Sequence, residues 1–117
     1  MTVLTALLVA AVVAPAPVQE PAELAGVWEG RISVGGQSIR IVFRVDADGN
    51  AVMDSPDQGA RNIAVEGPTV EAGVVRFVVP VIRGRFEGTL SEDGGSLTGA
   101  LSQGGATLPL VLTRTAA

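Results

Sequence analysis

The side chains that could carry chemistry are concentrated in one polar run, residues 54–59, which reads DSPDQG. Two carboxylates, Asp54 and Asp57, are the kind of pair that glycoside hydrolysis uses as general acid and base or nucleophile. That reaction also needs a cleft for the sugar, usually lined by aromatic rings. The aromatic residues are few, and sequence alternation points all of them inward: Trp28, Phe43, Phe77 and Phe86. A carboxylate-pair glycosidase is therefore the least favoured function.

Most other catalytic chemistry is excluded by composition. The chain has no His, Cys or Tyr, and its eight basic residues are all Arg. A serine nucleophile would lack the His or Lys base that activates it, and a zinc site would lack thiolate and imidazole ligands. The run DADGN at residues 46–50 has its Gly too early for a calcium loop and no closing Glu, so it predicts a hairpin turn. We expect no enzymatic activity, no cofactor and no metal.

The polar run also has a structural interpretation, as a corner between two strands. Pro56 fixes its own φ and removes a hydrogen-bond donor, so a strand should stop or bulge there. The side chains of Asp54 and Ser55 can accept hydrogen bonds from nearby backbone amides, and Gly59 permits a positive φ. We therefore predict a hydrogen-bonded corner in preference to a ligand site. The candidate residues under either interpretation are Asp54, Ser55, Asp57, Gln58 and Gln103, with Gln103 as the expected partner of Gln58.

The elements around this run read as antiparallel strands. From Gly26 onward apolar and polar residues alternate, for example at Ile39, Ile41 and Phe43, and Gly-rich turns separate the alternating segments. About eight short strands at this spacing fit a sandwich or a barrel, and sequential hairpins favour a barrel. The predicted fold is all-β, an antiparallel up-and-down meander barrel. Glycines that follow large inward residues, as in Phe86-Glu87-Gly88, are expected to allow close strand packing or, alternatively, to leave room for a ligand.

The beginning of the chain predicts export. Residues 3–14 read VLTALLVAAVVA, too short to cross a bilayer in a helix but suited to the apolar segment of a signal peptide. We predict a signal peptide at residues 1–16, a Pro-rich spacer at 17–23 and one barrel domain at 24–115, in a periplasmic or secreted protein. The mature chain should contain no integral membrane span. The net charge of -4 without a basic run argues against a nucleic-acid partner.

One resemblance is to the calycins, the lipocalin-like barrels. Gly26-Val27-Trp28 matches the G-x-W pattern on a lipocalin's first strand, and it follows a short segment suited to a helical turn. The resemblance implies that Arg114, on the last strand, covers the Trp28 ring and closes that end of the barrel. The chain is shorter than a typical lipocalin and lacks the long loops that shape the mouth of its cavity.

A second resemblance covers nearly the whole predicted mature chain. The stretches GVWEGRI, MDSPDQGARNIAV, FEGTLSEDGGSLTGALSQGG and LPLVLTR are similar to the small β-barrel domain found ahead of the catalytic domain in some exported bacterial serine hydrolases, of the α/β-hydrolase and β-lactamase-like classes. These residues contain no G-x-S-x-G elbow, and S-x-x-K is impossible without Lys. The resemblance therefore implies the accessory domain without the catalysis.

These observations favour a non-enzymatic, exported β-barrel accessory or binding module. A carrier of a small apolar ligand, of lipocalin or avidin type, stays open, since it differs only in having an interior cavity. A protein-interaction module, docking another exported protein such as a hydrolase or inhibiting a protease, also stays open.

Overall fold

The computed structural model describes residues 21–116, and the predicted signal peptide lies outside them. Within these residues, three short 3-10 turns accompany the strands, at Pro21–Leu24, Pro56–Gln58 and Pro80–Ile82. The strands follow in this order: β1 Gly26–Val34, β2 Gln37–Val45, β3 Ala51–Ser55, β4 Ala60–Ala64, β5 Glu66–Glu71, β6 Val74–Val79, β7 Gly84–Leu90, β8 Ser96–Gln103 and β9 Ala106–Ala116.

The strands form one sheet in the order β4-β3-β2-β1-β9-β8-β7-β6-β5, and every recorded pairing is antiparallel. The meander curls into a nearly closed barrel, as the alternation and the Gly-rich turns predicted. The first and last strands of the chain, β1 and β9, pair at its centre. The edges of the sheet, β4 and β5, are therefore consecutive in the chain.

The strand count is nine, where the sequence predicted about eight, because one traverse of the barrel is divided. β4 pairs with β3, whereas β5 pairs with β6. The antiparallel order makes β4 and β5 run in the same direction, so together they cross the barrel once. Only Val65 separates them, and the Gly67-Pro68 pair that follows lies within β5 instead of forming a turn between strands.

The alternation places the aromatic side chains in the interior. The rings of Phe43 and Phe77 stack with centroids 4.3 Å apart and planes 9° from parallel. Phe86 lies beside both, with centroid distances of 6.3 and 6.1 Å. All three side chains are completely buried, and so is Trp28. The centre of the barrel is therefore occupied by its own aromatic side chains.

One end of the barrel, here called the tryptophan end, is closed by Trp28 and its neighbours. The indole Nε1 donates a hydrogen bond of 2.8 Å to the carbonyl of Leu24, which is itself completely buried. The Arg114 guanidinium carbon lies 4.5 Å from the centroid of the indole ring, and Nη2 donates to the carbonyl of Glu23. The structure thus brings Trp28 and Arg114 together through a cation–π contact.

The inward glycines allow close packing of neighbouring groups. A Cβ added at Gly88 would lie 2.6 Å from Cζ of the Phe86 ring, which folds over this position. A Cβ at Gly99 would collide with the carbonyl of Glu87 on the neighbouring strand. At these two positions the missing side chain is replaced by protein atoms, which supports the packing interpretation.

The opposite end, here called the corner end, carries the other set of connections. It contains the Gly35-Gly36 turn, the turn at Pro56–Gln58, the turn at Pro80–Ile82 and the Gly104-Gly105 turn. The loop at residues 46–50, the turn at Ala72-Gly73 and the loop at residues 91–95 lie at the tryptophan end. Across residues 21–116, no helix has the length and apolar character needed to cross a membrane.

Candidate functional site

The polar run forms the end of β3 and a tight corner, residues 55–59, which we call the polar corner. Ser55 precedes a single 3-10 turn that begins with Pro56, and the backbone turns back at Gly59, whose φ is 70°. The amide of Gly59 donates to the carbonyl of Pro56 at 3.0 Å. Pro at the start and a positive φ at the end are the backbone features expected from these residues.

Ser55 and Gln58 satisfy each other within this corner. The Ser55 side chain points inward and is only 2% exposed, and its Oγ donates to Oε1 of Gln58 at 2.6 Å. The predicted pairing of Gln58 with Gln103 is wrong. Gln103 lies on β8 and donates from Nε2 to the carbonyl of Ile82 at 3.1 Å, because register places it beside the other corner.

Asp57 ties the polar corner to the neighbouring strand. Its Oδ2 accepts a hydrogen bond of 2.9 Å from the backbone amide of Arg40 on β2. β3 has already ended at Ser55 and no longer supplies a partner strand at this level. The carboxylate therefore continues the hydrogen bonding of the sheet where the strand stops.

Asp54, the last outward-facing residue of β3, belongs to a three-residue network. Its carboxylate accepts from Nε and Nη2 of Arg44 at 2.9 and 3.1 Å, and from the amide of Asn62 at 2.8 Å. Nη2 of Arg44 also donates to Oδ1 of Asn62 at 2.6 Å. Asn62 adopts a left-handed conformation, φ 55°, beside the register shift between β3 and β4. The three side chains are thus held in one fixed arrangement.

This network shifts the pKa of both ionisable groups. The hydrogen bonds from Arg44 lower the pKa of Asp54, the Asn62 amide adds to the effect, and partial burial opposes it. The same contact raises the pKa of Arg44. A general acid in a glycosidase needs the opposite, a carboxyl whose pKa is raised so that it keeps its proton.

Arg44 and Asn62 were not among the residues predicted for a site. The signal that could have found Arg44 is its outward position on β2, the strand expected to form a hairpin with the one that ends at Asp54. The role of Asn62 has no comparable signal, because it depends on the register shift that follows Met53. Asn tolerates a left-handed conformation better than most residues, which suits it to this position.

The network borders an open depression of about 580 Å³ on the outside of the barrel near the tryptophan end. Small and apolar residues such as Val27, Val45 and Val52 line it, together with Arg44 and Asn62. The guanidinium of Arg44 and the side-chain oxygen of Asn62 are already bonded to each other, and Arg44 also binds Asp54. Across residues 21–116, no group of three or more carboxylates is arranged to hold a metal ion.

A second corner, residues 79–83, repeats the backbone of the first, and we call it the apolar corner. Val79 precedes Pro80, and one 3-10 turn follows. Arg83 ends this turn with a φ of 53°, and its backbone amide donates a hydrogen bond of 3.0 Å to the carbonyl of Pro80. This corner was not predicted from the sequence, although Pro80 directly after an alternating strand is the same signal as Pro56. Both corners lie at the corner end.

The chain was compared with known protein families, with curated proteins and with solved structures, and no match was found in any of the three.

Proposed function

We propose that this protein is a non-enzymatic, exported β-barrel module that binds a partner or ligand on its outer surface, as an accessory to another exported protein such as a hydrolase. The observation that carries this proposal is the filled interior. The stacked rings of Phe43 and Phe77, with Phe86 beside them, occupy the space in which a lipocalin-type carrier holds its ligand.

The closed end supports the same proposal. Trp28 is completely buried, Leu24 covers its edge and the Arg114 guanidinium covers its face. A ligand entering the barrel would have to displace well-packed side chains, and protein interiors resist such displacement because they are close-packed. The outer surface is the part of the molecule that can accept a partner without that cost.

The polar corner supports the non-enzymatic part of the proposal. Asp57 accepts from a backbone amide, and Asp54 is paired with Arg44. A pair of catalytic carboxylates must instead face a substrate-sized cleft in different protonation states. The engaged carboxylates favour a corner over an active site.

The test is a titration of the purified protein with a neutral apolar fluorophore, N-phenyl-1-naphthylamine. We expect no saturable binding, because the rings of Phe43, Phe77 and Phe86 occupy the centre of the barrel. Phe77→Ala should open an apolar cavity and bind the probe, which shows that the assay detects an interior site. Phe86→Leu provides a milder cavity in case Phe77→Ala does not fold. Val81→Ala, which removes a 75% exposed side chain, controls for probe binding to the surface.

Saturable binding of one probe per wild-type molecule, with a change in the fluorescence of Trp28, would contradict the proposal. Trp28 is the only tryptophan and lies inside the barrel, so its emission reports on interior occupancy. That result would favour the alternative function, a carrier of a small apolar ligand.

A further inference from the structure

The corner end carries an open depression of about 350 Å³ beside the apolar corner. Its polar lining comes from Arg83, Arg85, Ser102 and Gln103, and we call it the arginine depression. Strand register explains the juxtaposition, since Arg85 on β7 lies directly opposite Ser102 on β8. Two arginines and a serine therefore line one concave surface.

The two guanidinium groups retain most of their hydrogen-bonding capacity. Within residues 21–116, Arg83 forms no ion pair. Arg85 lies 3.9 Å from a carboxylate oxygen of Glu87, but that same oxygen already accepts from Arg76 at 2.6 Å. The Ser102 hydroxyl makes only a long contact of 3.4 Å with Oγ1 of Thr107. These donors are available to a ligand.

The two corners differ at the residue that ends each turn. Its φ of 53° is a conformation in which residues other than Gly are strained, and the equivalent position of the polar corner is Gly59. The corner itself could be built with Gly at this position. The strained backbone carries an arginine side chain instead, directly at the depression.

The charge distribution of the barrel makes this end attractive to anions. The loops of the tryptophan end contain Asp46, Asp48, Glu92 and Asp93. At the corner end the connecting turns contain one carboxylate, Asp57, and it already accepts a hydrogen bond from Arg40. An anionic ligand therefore meets fewer carboxylates in the turns of the corner end than in the loops of the tryptophan end.

We propose that the arginine depression binds the oxyanion group of a ligand, a phosphate or a carboxylate, through Arg83 and Arg85 with the Ser102 hydroxyl as a further donor. Guanidinium groups match both oxyanions by paired, charge-assisted hydrogen bonds. This inference rests on the proposed function, because it names the ligand chemistry of a barrel that acts through its outer surface.

The test is an NMR titration of the ¹⁵N-labelled protein with inorganic phosphate and, in a separate arm, with acetate, both at ionic strength held constant with sodium chloride. We expect saturable shifts of the amides of Arg85, Ser102, Gly104 and Gly105. The Gly35-Gly36 turn is the matched control, since it lies at the same end and has nearly the same φ angles, 57° and 82° against 58° and 85°. The affinities from the phosphate and acetate titrations are compared to show which of the two oxyanions the site prefers.

Three variants make the site assignment specific. Arg83→Gly removes one guanidinium while keeping the corner conformation, and Arg85→Gln removes the other. Each should weaken binding about fivefold to tenfold, as expected for the loss of a charge-assisted contact on a partly exposed surface. Arg61→Gln, which removes an exposed arginine outside the depression, should change the affinity less than about twofold.

Several results would overturn the inference. These are the same shifts with sodium chloride alone, equal shifts at the Gly35-Gly36 turn, no shifts with either anion, or unchanged binding in Arg83→Gly and Arg85→Gln. Failure of the proposed function is recognised separately, because the neutral fluorophore reads the interior and carries no charge for the arginine depression. Probe binding in the interior, with anion binding intact, would overturn only the proposed function and would leave the arginine depression as an anion site.

Discussion

The two corners have the same backbone conformation, but the side chains of one are mainly polar and those of the other mainly apolar. Each has a buried residue before proline, one 3-10 turn and a left-handed residue at its end. The polar corner is closed by side-chain hydrogen bonds, with Ser55 donating to Gln58 and Asp57 accepting from Arg40. The apolar corner is closed by burial of Val79, by packing of Ile82 against the core and by the Gln103 bond to the Ile82 carbonyl.

This difference distinguishes the residues that define the backbone path of a corner from the residues that make a corner easy to notice in a sequence. Proline at the start and a left-handed residue at the end are common to both corners, so these define the backbone path. The acids, the serine and the glutamine of the polar corner are one of two ways to stabilise that path. The apolar corner lacks this conspicuous polar run, and its side of the barrel leaves two arginines available.

The largest expected change in the free energy of unfolding comes from exchanging the buried residue before proline. Val79→Ser removes buried apolar surface and places a hydroxyl where no glutamine follows to accept its hydrogen bond, so we expect a loss of about 3 kcal/mol. Ser55→Val removes a satisfied hydroxyl, leaves the oxygen of Gln58 near solvent and should cost less than about 1 kcal/mol. Urea denaturation of both variants measures this asymmetry. Equal losses in the two variants would contradict the claim that the two corners are stabilised by different interactions.

The next effect concerns the left-handed residue that ends each corner. Gly59→Val forces a β-branched residue to a φ of 70° and should cost about 2 kcal/mol. Arg83→Gly relieves strain at the other corner, partly offset by the flexibility of glycine in the unfolded chain, and should gain about 0.5 kcal/mol. Thermal unfolding should move in opposite directions for the two variants. A loss of stability in Arg83→Gly would mean that its side chain stabilises the corner.

A smaller effect is expected at the second residue of each turn. Asp57→Ala removes the acceptor of the Arg40 amide and should cost about 1 kcal/mol. Val81→Ala at the equivalent position should change the free energy of unfolding by less than about 0.5 kcal/mol, because that side chain is exposed. The pair is compared by urea denaturation at neutral pH. A larger loss in Val81→Ala would point to a packing role that its exposure does not indicate.

The smallest effect is the pH dependence from Asp54, whose pKa is lowered in the folded protein mainly by Arg44. A group with a lowered folded pKa stabilises the protein above its unfolded pKa, and this contribution is lost as pH falls through the folded pKa. Wild type should therefore lose stability relative to Asp54→Asn as pH falls below about 4. Asp93 acts in the same direction, since hydrogen bonds from Ser91 and Gly95 lower its pKa. If the free energies of unfolding of wild type and Asp54→Asn change in parallel with pH, Asp54 does not contribute to the pH dependence of stability.

Local patterns predicted the fold well. Alternation at residues such as Phe43 and Phe77, with glycine turns between the strands, indicated an antiparallel meander barrel. The division of one traverse at Val65 was not predicted, because it arises from pairing with different neighbours on each side and the nearby Gly67-Pro68 pair lies inside β5.

The details of the site depended on long-range register, which the sequence does not show. The corner at Pro56 was predicted from proline and glycine chemistry, whereas Arg44 became the partner of Asp54 through the pairing of β2 with β3. Gln103 was assigned to the wrong corner for the same reason. Pro80 carried the same local signal as Pro56 but lacked polar neighbours to draw attention to it.

The central claim is that the conspicuous polar run is a structural corner, with its carboxylates engaged by the protein itself. Amide hydrogen exchange at Arg40 tests it most directly, since this amide donates to Asp57 across the corner. We expect slow exchange of the Arg40 amide in the wild type and exchange about fivefold to tenfold faster in Asp57→Ala, with exchange of the Asn62 amide, which is bonded to Asp54, unchanged. Fast exchange of the Arg40 amide in the wild type, or a rate unaffected by Asp57→Ala, would contradict it.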